Sequence, residues 1–185
     1  MSADIDWEKF PRKGTFMIVP SQGVMDFCNW LQNTPYALAI AGSTWAYPFV
    51  QTTHFTGLSI WLGTSLAVDF RLLGWLGKTH KPRDMAKSLF AWNWIGFAIA
   101  VIGGASLFST DAVAFSRNPA LQFKLLLFFP LALIVHIFVQ RRTIQSWGSG
   151  DVIPRFAKLA GLTEFLLWLS VASAAANIPY FERFL

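Results

Sequence analysis

The sequence predicts an all-α membrane protein: a four-transmembrane-helix bundle with an interfacial amphipathic helix on its N-terminal side. Three observations carry that prediction. Of 185 residues, 54% are hydrophobic and only 14% charged, against roughly 25% charged in an ordinary soluble domain. Four apolar stretches each approach the ~20 residues that cross a bilayer as a helix. The basic residues gather in short loops between those stretches. A net charge of +5 spread in that way is the pattern of positive-inside topology, so the expected partner is the lipid bilayer and not nucleic acid.

Residues 1–20 read as a mixed tail with two prolines, Pro11 and Pro20, and no clear periodicity. The start, MSADIDWEKFPRKG, has no apolar run directly behind a basic segment, so no cleavable signal peptide is expected. Residues 21–44 read as an interfacial helix and an elbow. Ser21 suits an N-cap. Val24, Phe27, Cys28 and Leu31 fall on one helical face, with Asp26, Asn29, Gln32 and Asn33 opposite. Such a helix lies in the membrane interface. Cys28 is the only cysteine, which excludes an internal disulfide and a thiolate metal cluster from one chain. It reads as a small buried hydrophobe. Thr34 to Thr44 is apolar but too short to span.

Residues 45–178 hold the transmembrane domain, one unit without internal repeats. The first span runs from about Trp45 to Phe70, with Pro48 in its first turn and Asp69 and Arg71 closing it. The second runs from about Leu89 to Phe108, with Gly103 and Gly104 near its end. The third, from about Pro119 to Gln140, contains Lys124, Pro130 and His136. The fourth, from about Leu159 to Ile178, is expected to end at Pro179, leaving residues 179–185 as a C-terminal tail. The loops after spans one and three hold five and four Lys/Arg, and the remaining connections and termini hold six together. Both basic loops are therefore expected in the cytoplasm, with both termini on the periplasmic side of a bacterial inner membrane.

At ~1.5 Å per helical residue, polar groups within the spans sort by depth. His54 and Lys124 fall in an outer layer. His136, Glu164 and Asn93 fall in an inner one. An ionisable side chain at such depth is costly unless paired, ligated or turned to a protein interior. Lone histidines on facing helices, abundant aromatics and small residues such as Gly57, one turn from His54, suit a haem. The expected cofactor is haem b. His54 is the favoured iron ligand, Lys124 is placed to pair with a propionate, and His136 is a second candidate ligand. His54 and His136 differ in estimated depth by about 10 Å, which argues against both binding one iron. Each residue also has a plainer reading. His54 is then a helix–helix contact, His136 a polar pair with Glu164, Lys124 a boundary marker, and the glycines serve close packing. His80, in a loop, is expected to be solvated.

The run HFTGLSIWLGTSLAVDFRLLGW, with His54, Gly57, Trp61, Gly63 and Arg71, resembles the first histidine-bearing helix of the bacterial membrane protoporphyrinogen oxidases of the HemJ type. The run KLLLFFPLALIVH, with Lys124 and His136, resembles their later Lys…His helix. The related four-helix copper-resistance D-like proteins are similar. So is an uncharacterised bacterial membrane family with the TPxALAI…STW lead-in of Thr34 to Trp45, which is the nearest in kind. The resemblance spans about Thr34 to Ile178. It implies a four-helix haem b protein with His54 and Lys124 at positions important to that group. Three functions follow as expectations. The first is a b-type haem protein that transfers electrons within, or anchors, a larger membrane assembly of other subunits. The second is a haem-free structural subunit, and the third a porphyrinogen-type oxidase. No catalytic residue is assigned.

Overall fold

The computed structural model describes residues 18–76, 79–149 and 152–182. The expected tail therefore lies outside the described residues except at 18–20. Every regular element is helical among the described residues. In chain order they are α1 (Gln22–Gln32), α2 (Pro35–Ala41), α3 (Ala46–Leu73), α4 (Pro82–Thr110), α5 (Ala112–Arg117), α6 (Pro119–Phe123), α7 (Phe129–Arg142) and α8 (Arg155–Glu182). Two π-helical turns, Lys124–Phe128 and Thr143–Trp147, join α6 to α7 and extend α7. The chain thus forms four long helical columns, of which α3 and α4 are the most extensively packed pair.

Among the described residues three helices are long and apolar enough to cross a membrane: Pro82–Thr110, Pro119–Trp147 and Arg155–Tyr180. The 28-residue α3 matches them in length but carries more polar groups, which keeps it outside that set. Most of its hydroxyls are satisfied within the helix. Thr53, Thr56, Ser59, Thr64 and Ser65 each donate to the carbonyl four residues earlier, at 2.8–2.9 Å. Such bonds lower the cost of a hydroxyl in apolar surroundings.

The columns alternate in direction. At one end the two basic loops meet: the Arg83 N–H donates to Gly148 O at 3.4 Å, and Lys81 Nζ donates to Ser149 O, also at 3.4 Å. At the other end α1 packs on α5, with Val113 N–H donating to Gln32 Oε1 at 3.1 Å. There, too, Asn118 Nδ2 ties the start of α6 to Ile178 O near the end of α8, at 2.9 Å. The interior between these ends is aromatic. Trp61 packs edge-on against Trp168 and Phe97, with ring centroids 4.4 and 4.5 Å away.

The stretch from Thr34 to Thr44, too short to span, is helical over α2, and Pro35 opens that helix because a proline in the first turn gives up an N–H that has no intrahelical partner. Several boundaries differ from the sequence reading. Ser21 occupies the N-cap of α1 without a side-chain cap bond. The expected apolar face of α1 is divided: Cys28 is buried, while Val24 and Phe27 are exposed. α8 continues through Pro179, which therefore belongs to the last helical turn and not to a tail. The link between spans two and three is itself helical, as α5.

Candidate functional site

Small residues let α3 and α4 touch backbone to backbone. A Cβ on Gly57 would lie 2.5 Å from Ala100 N, and one on Gly96 would lie 2.7 Å from Trp61 N. This close approach places His54, one turn before Gly57, against α4. His54 Nδ1 lies 2.7 Å from Ala100 O. A carbonyl only accepts, so Nδ1 carries the hydrogen, and in the neutral ring Nε2 keeps its lone pair. The carbonyl of Ala100 lies beside residue 104 on the helix, and a Cβ on Gly104 would stand 3.0 Å from His54 Cε1. Glycine at 104 is what opens that carbonyl to the ring. Nε2 has no protein partner among the described residues.

Lys124 lies six residues past Asn118, and Gly104, which abuts His54, lies six residues before the end of α4 at Thr110, so the two fall at similar depth from the same end of the bundle. Lys124 begins the π turn, where Phe129 N–H donates to Lys124 O five residues back. Pro130 lacks an N–H and its ring crowds the preceding turn, and a π turn is a common accommodation of such a break. Lys124 is half-buried and its ammonium has no partner among the described residues.

The second layer lies nearer the basic-loop end and is fully buried. His136 on α7 has Nδ1 2.5 Å from Glu164 Oε1 and Nε2 3.0 Å from Asn93 Oδ1. The orientations follow from groups that can act only one way. Trp94 Nε1 only donates, and it reaches Gln140 Oε1 at 3.0 Å. Gln140 therefore turns its amide nitrogen to Asn93 Oδ1, at 3.4 Å. Asn93 Nδ2 donates to Ser65 Oγ, Thr64 Oγ1 and the Trp61 carbonyl at 2.9, 3.0 and 3.2 Å. Asn93 Oδ1 thus faces His136, and Nε2 must carry a hydrogen. One further proton lies between Nδ1 and Glu164. Whichever atom holds it, the His136–Glu164 pair is neutral as a unit.

The expected inner layer of His136, Glu164 and Asn93 is brought together in this way, and His54 with Lys124 forms a separate one. Trp61, beside His136, is seven residues along α3 from His54, about 10 Å of helix. Two of the sequence expectations change in consequence. His136 is committed to protein on both ring nitrogens, so it offers iron no lone pair. Gly57 is filled by the backbone of α4 and gives no room to a macrocycle. Among the described residues no group of three or more His, Cys, Asp or Glu is arranged to hold a metal ion.

Asp69 was read as a closing residue at the end of span one, but it is 1% exposed inside the bundle. Its carboxyl faces Gly161 of α8, 3.5 Å from where a Cβ there would stand. The signal was present in the four-residue step Gly57, Trp61, Ser65 and Asp69, the buried face of α3.

A family model described as a family of unknown function (DUF6644) matches residues 27–181. No curated protein and no solved structure matches the chain.

Proposed function

The chain belongs to the DUF6644 family of unknown function, and on that premise we propose that it is an integral membrane b-type haem protein. Its role is to transfer electrons within a larger membrane assembly or to anchor one. In this reading α3 is a fourth span, α1 lies in the interface, and the protein sits in a bacterial inner membrane with both termini on the periplasmic side. The observation that carries the reading is the state of His54. Its Nδ1–H is fixed by the Ala100 carbonyl at 2.7 Å, and its Nε2 lone pair is unspent. Metal-binding imidazoles are usually oriented by such a bond from the other nitrogen. The unpaired Lys124 ammonium in the same layer suits a propionate. One protein ligand therefore fits the group, whereas a second from His136 does not. Bound there, a haem would supply one-electron chemistry. The chain's own part is to hold the imidazole in one tautomer and to offer a cation beside it.

A haem-free structural subunit is the second reading. The glycines at 57, 96 and 103 are used by the α3–α4 contact, and the Ala100 bond already satisfies one nitrogen of His54. Spectra of the full-length protein purified in mild detergent, oxidised and dithionite-reduced, separate the two. The haem reading expects Soret absorption that is lost in His54→Ala and kept in His136→Ala. No Soret band, even after hemin is added, leaves the haem-free subunit.

A further inference from the structure

Between α3, α4, α7 and α8 lies a small cavity of about 20 Å³, lined by Ser65, Asp69, Ala86, Asn93, His136 and Glu164 among others. Roughly 10–15 Å³ of this kind of volume suffices for one water. Three carboxyl oxygens at the cavity are buried without a donor: both of Asp69 and Oε2 of Glu164. Each of the two residues is 1% exposed. A buried acceptor left unmatched costs about 1–3 kcal/mol, and an unpaired buried charge costs far more.

The charges around the cavity can be counted from each packed helix. α3 brings Asp69, α7 brings His136 and α8 brings Glu164. α4 brings only Ala86, Leu89 and Asn93, none of which ionises. The His136–Glu164 pair is neutral as a unit, so nothing in the lining balances a charge on Asp69. The Asp69 and Glu164 carboxyls lie within hydrogen-bond reach of each other, so an acid proton on one Asp69 oxygen supplies Glu164 with a donor, and a water in the void supplies one to the other Asp69 oxygen.

We propose that Asp69, one cavity water and Glu164 form an intramembrane proton-binding site that extends through Glu164 Oε1 to His136. The proton arrives from bulk water at the basic-loop end. Asp69 and Ala86 each stand four residues from the loop-side end of their helix, about 6 Å of rise. No bond other than O–H breaks or forms when the site fills. This site is independent of any haem at His54.

Infrared spectroscopy of the full-length protein in nanodiscs tests the proposal through the carbonyl stretch of protonated carboxylic acids. Wild type is expected to show such a band, and the band is expected to shift on transfer to deuterated buffer. Asp69→Asn is expected to lose it, and Glu164→Gln to move its frequency. Ala86→Val keeps every polar group and places methyl carbons where the water would stand. It guards against variants that do not fold, and it is expected to retain the band while slowing its shift in deuterated buffer. A missing band, a band unchanged in Asp69→Asn, or exchange as fast in Ala86→Val as in wild type would overturn the proposal. So would loss of the band on adding sodium at constant pH, since the site would then be a cation site.

Discussion

His54 reaches from α3 to the Ala100 carbonyl of α4 at 2.7 Å, across the contact where Gly57 lets the two backbones meet. A polar bond and a close-packed backbone contact therefore share one short stretch of the helix pair. In lipid, where helix association owes little to the hydrophobic effect, packing of small residues and interhelical hydrogen bonds are the main attractive forces. The α3–α4 pair has both.

Gly57→Val should accordingly damage the fold, while Gly63→Val should not. The Cβ at 57 would meet backbone at 2.5 and 2.9 Å, and a Cβ at 63 meets nothing within 4 Å. Backbone cannot rotate away as a side chain can, so the helices must separate. Overpacking typically costs about 1–3 kcal/mol, and a substitution in open space stays within about 0.5 kcal/mol. Thermal unfolding in detergent, followed by circular dichroism, should show a lowered transition for Gly57→Val alone. Equal transitions in the two variants would mean that the helices do not meet at Gly57.

His136→Ala should be more damaging than His54→Ala. Removing His136 leaves Glu164 Oε1 with only the long bond from Trp168 Nε1 and Asn93 Oδ1 with only that from Gln140, each 3.4 Å, in a fully buried layer, and breaking such a pair costs about 3–5 kcal/mol. His54→Ala forfeits one interhelical bond, on the order of 0.6–2 kcal/mol in membranes. Unfolding in increasing SDS should therefore rank His136→Ala below His54→Ala, with wild type highest. The reverse order would place the structural weight at the other layer.

Gly104→Val should displace His54 without touching it chemically. Its Cβ would stand 3.0 Å from His54 Cε1, so the ring must shift by a few tenths of an ångström for the Cβ alone, and the two further methyl carbons of valine are expected to push it off the Ala100 carbonyl. If His54 holds haem, the absorption spectrum should weaken or shift in Gly104→Val as it does in His54→Ala. An unaltered spectrum would show that the Ala100 bond does not orient the ligand.

The layering of polar groups was legible because depth in a helix is a simple count of residues. Counting residues along each span was enough to assemble Asn93, His136 and Glu164. Facing was harder. Asp69 sits so near Arg71 that composition alone made it an end marker, although its four-residue step from Trp61 and Ser65 sets it on the buried face. The role of Gly57 was misread because a glycine's small size equally suits a cofactor or a neighbouring backbone, and only the position of α4 decides between them. Pro179 illustrates a third limit. A proline in a final turn costs few hydrogen bonds, so α8 has little reason to stop there.

If α3 crosses the bilayer, its two ends lie in different compartments, and single cysteines report that directly. Cys28 is 2% exposed, so Cys28→Ala gives a background with no thiol. Thr44 and His80 flank α3 at its two ends, both exposed. Val152 lies in the other basic loop and is 85% exposed. The contacts of Arg83 and Lys81 with the segment at 148–149 put both basic loops at one end, so His80→Cys and Val152→Cys must react from the same side. A membrane-impermeant maleimide should label Thr44→Cys in cells with a permeable outer layer and an intact inner membrane. His80→Cys and Val152→Cys should be labelled only after that membrane is opened. Labelling of Thr44→Cys and His80→Cys from one side would make α3 a helix that packs on a three-span core, because two ends of a spanning segment cannot share a compartment. Labelling of His80→Cys and Val152→Cys from opposite sides would contradict the pairing of the two loops, and with it the alternating arrangement of the four columns.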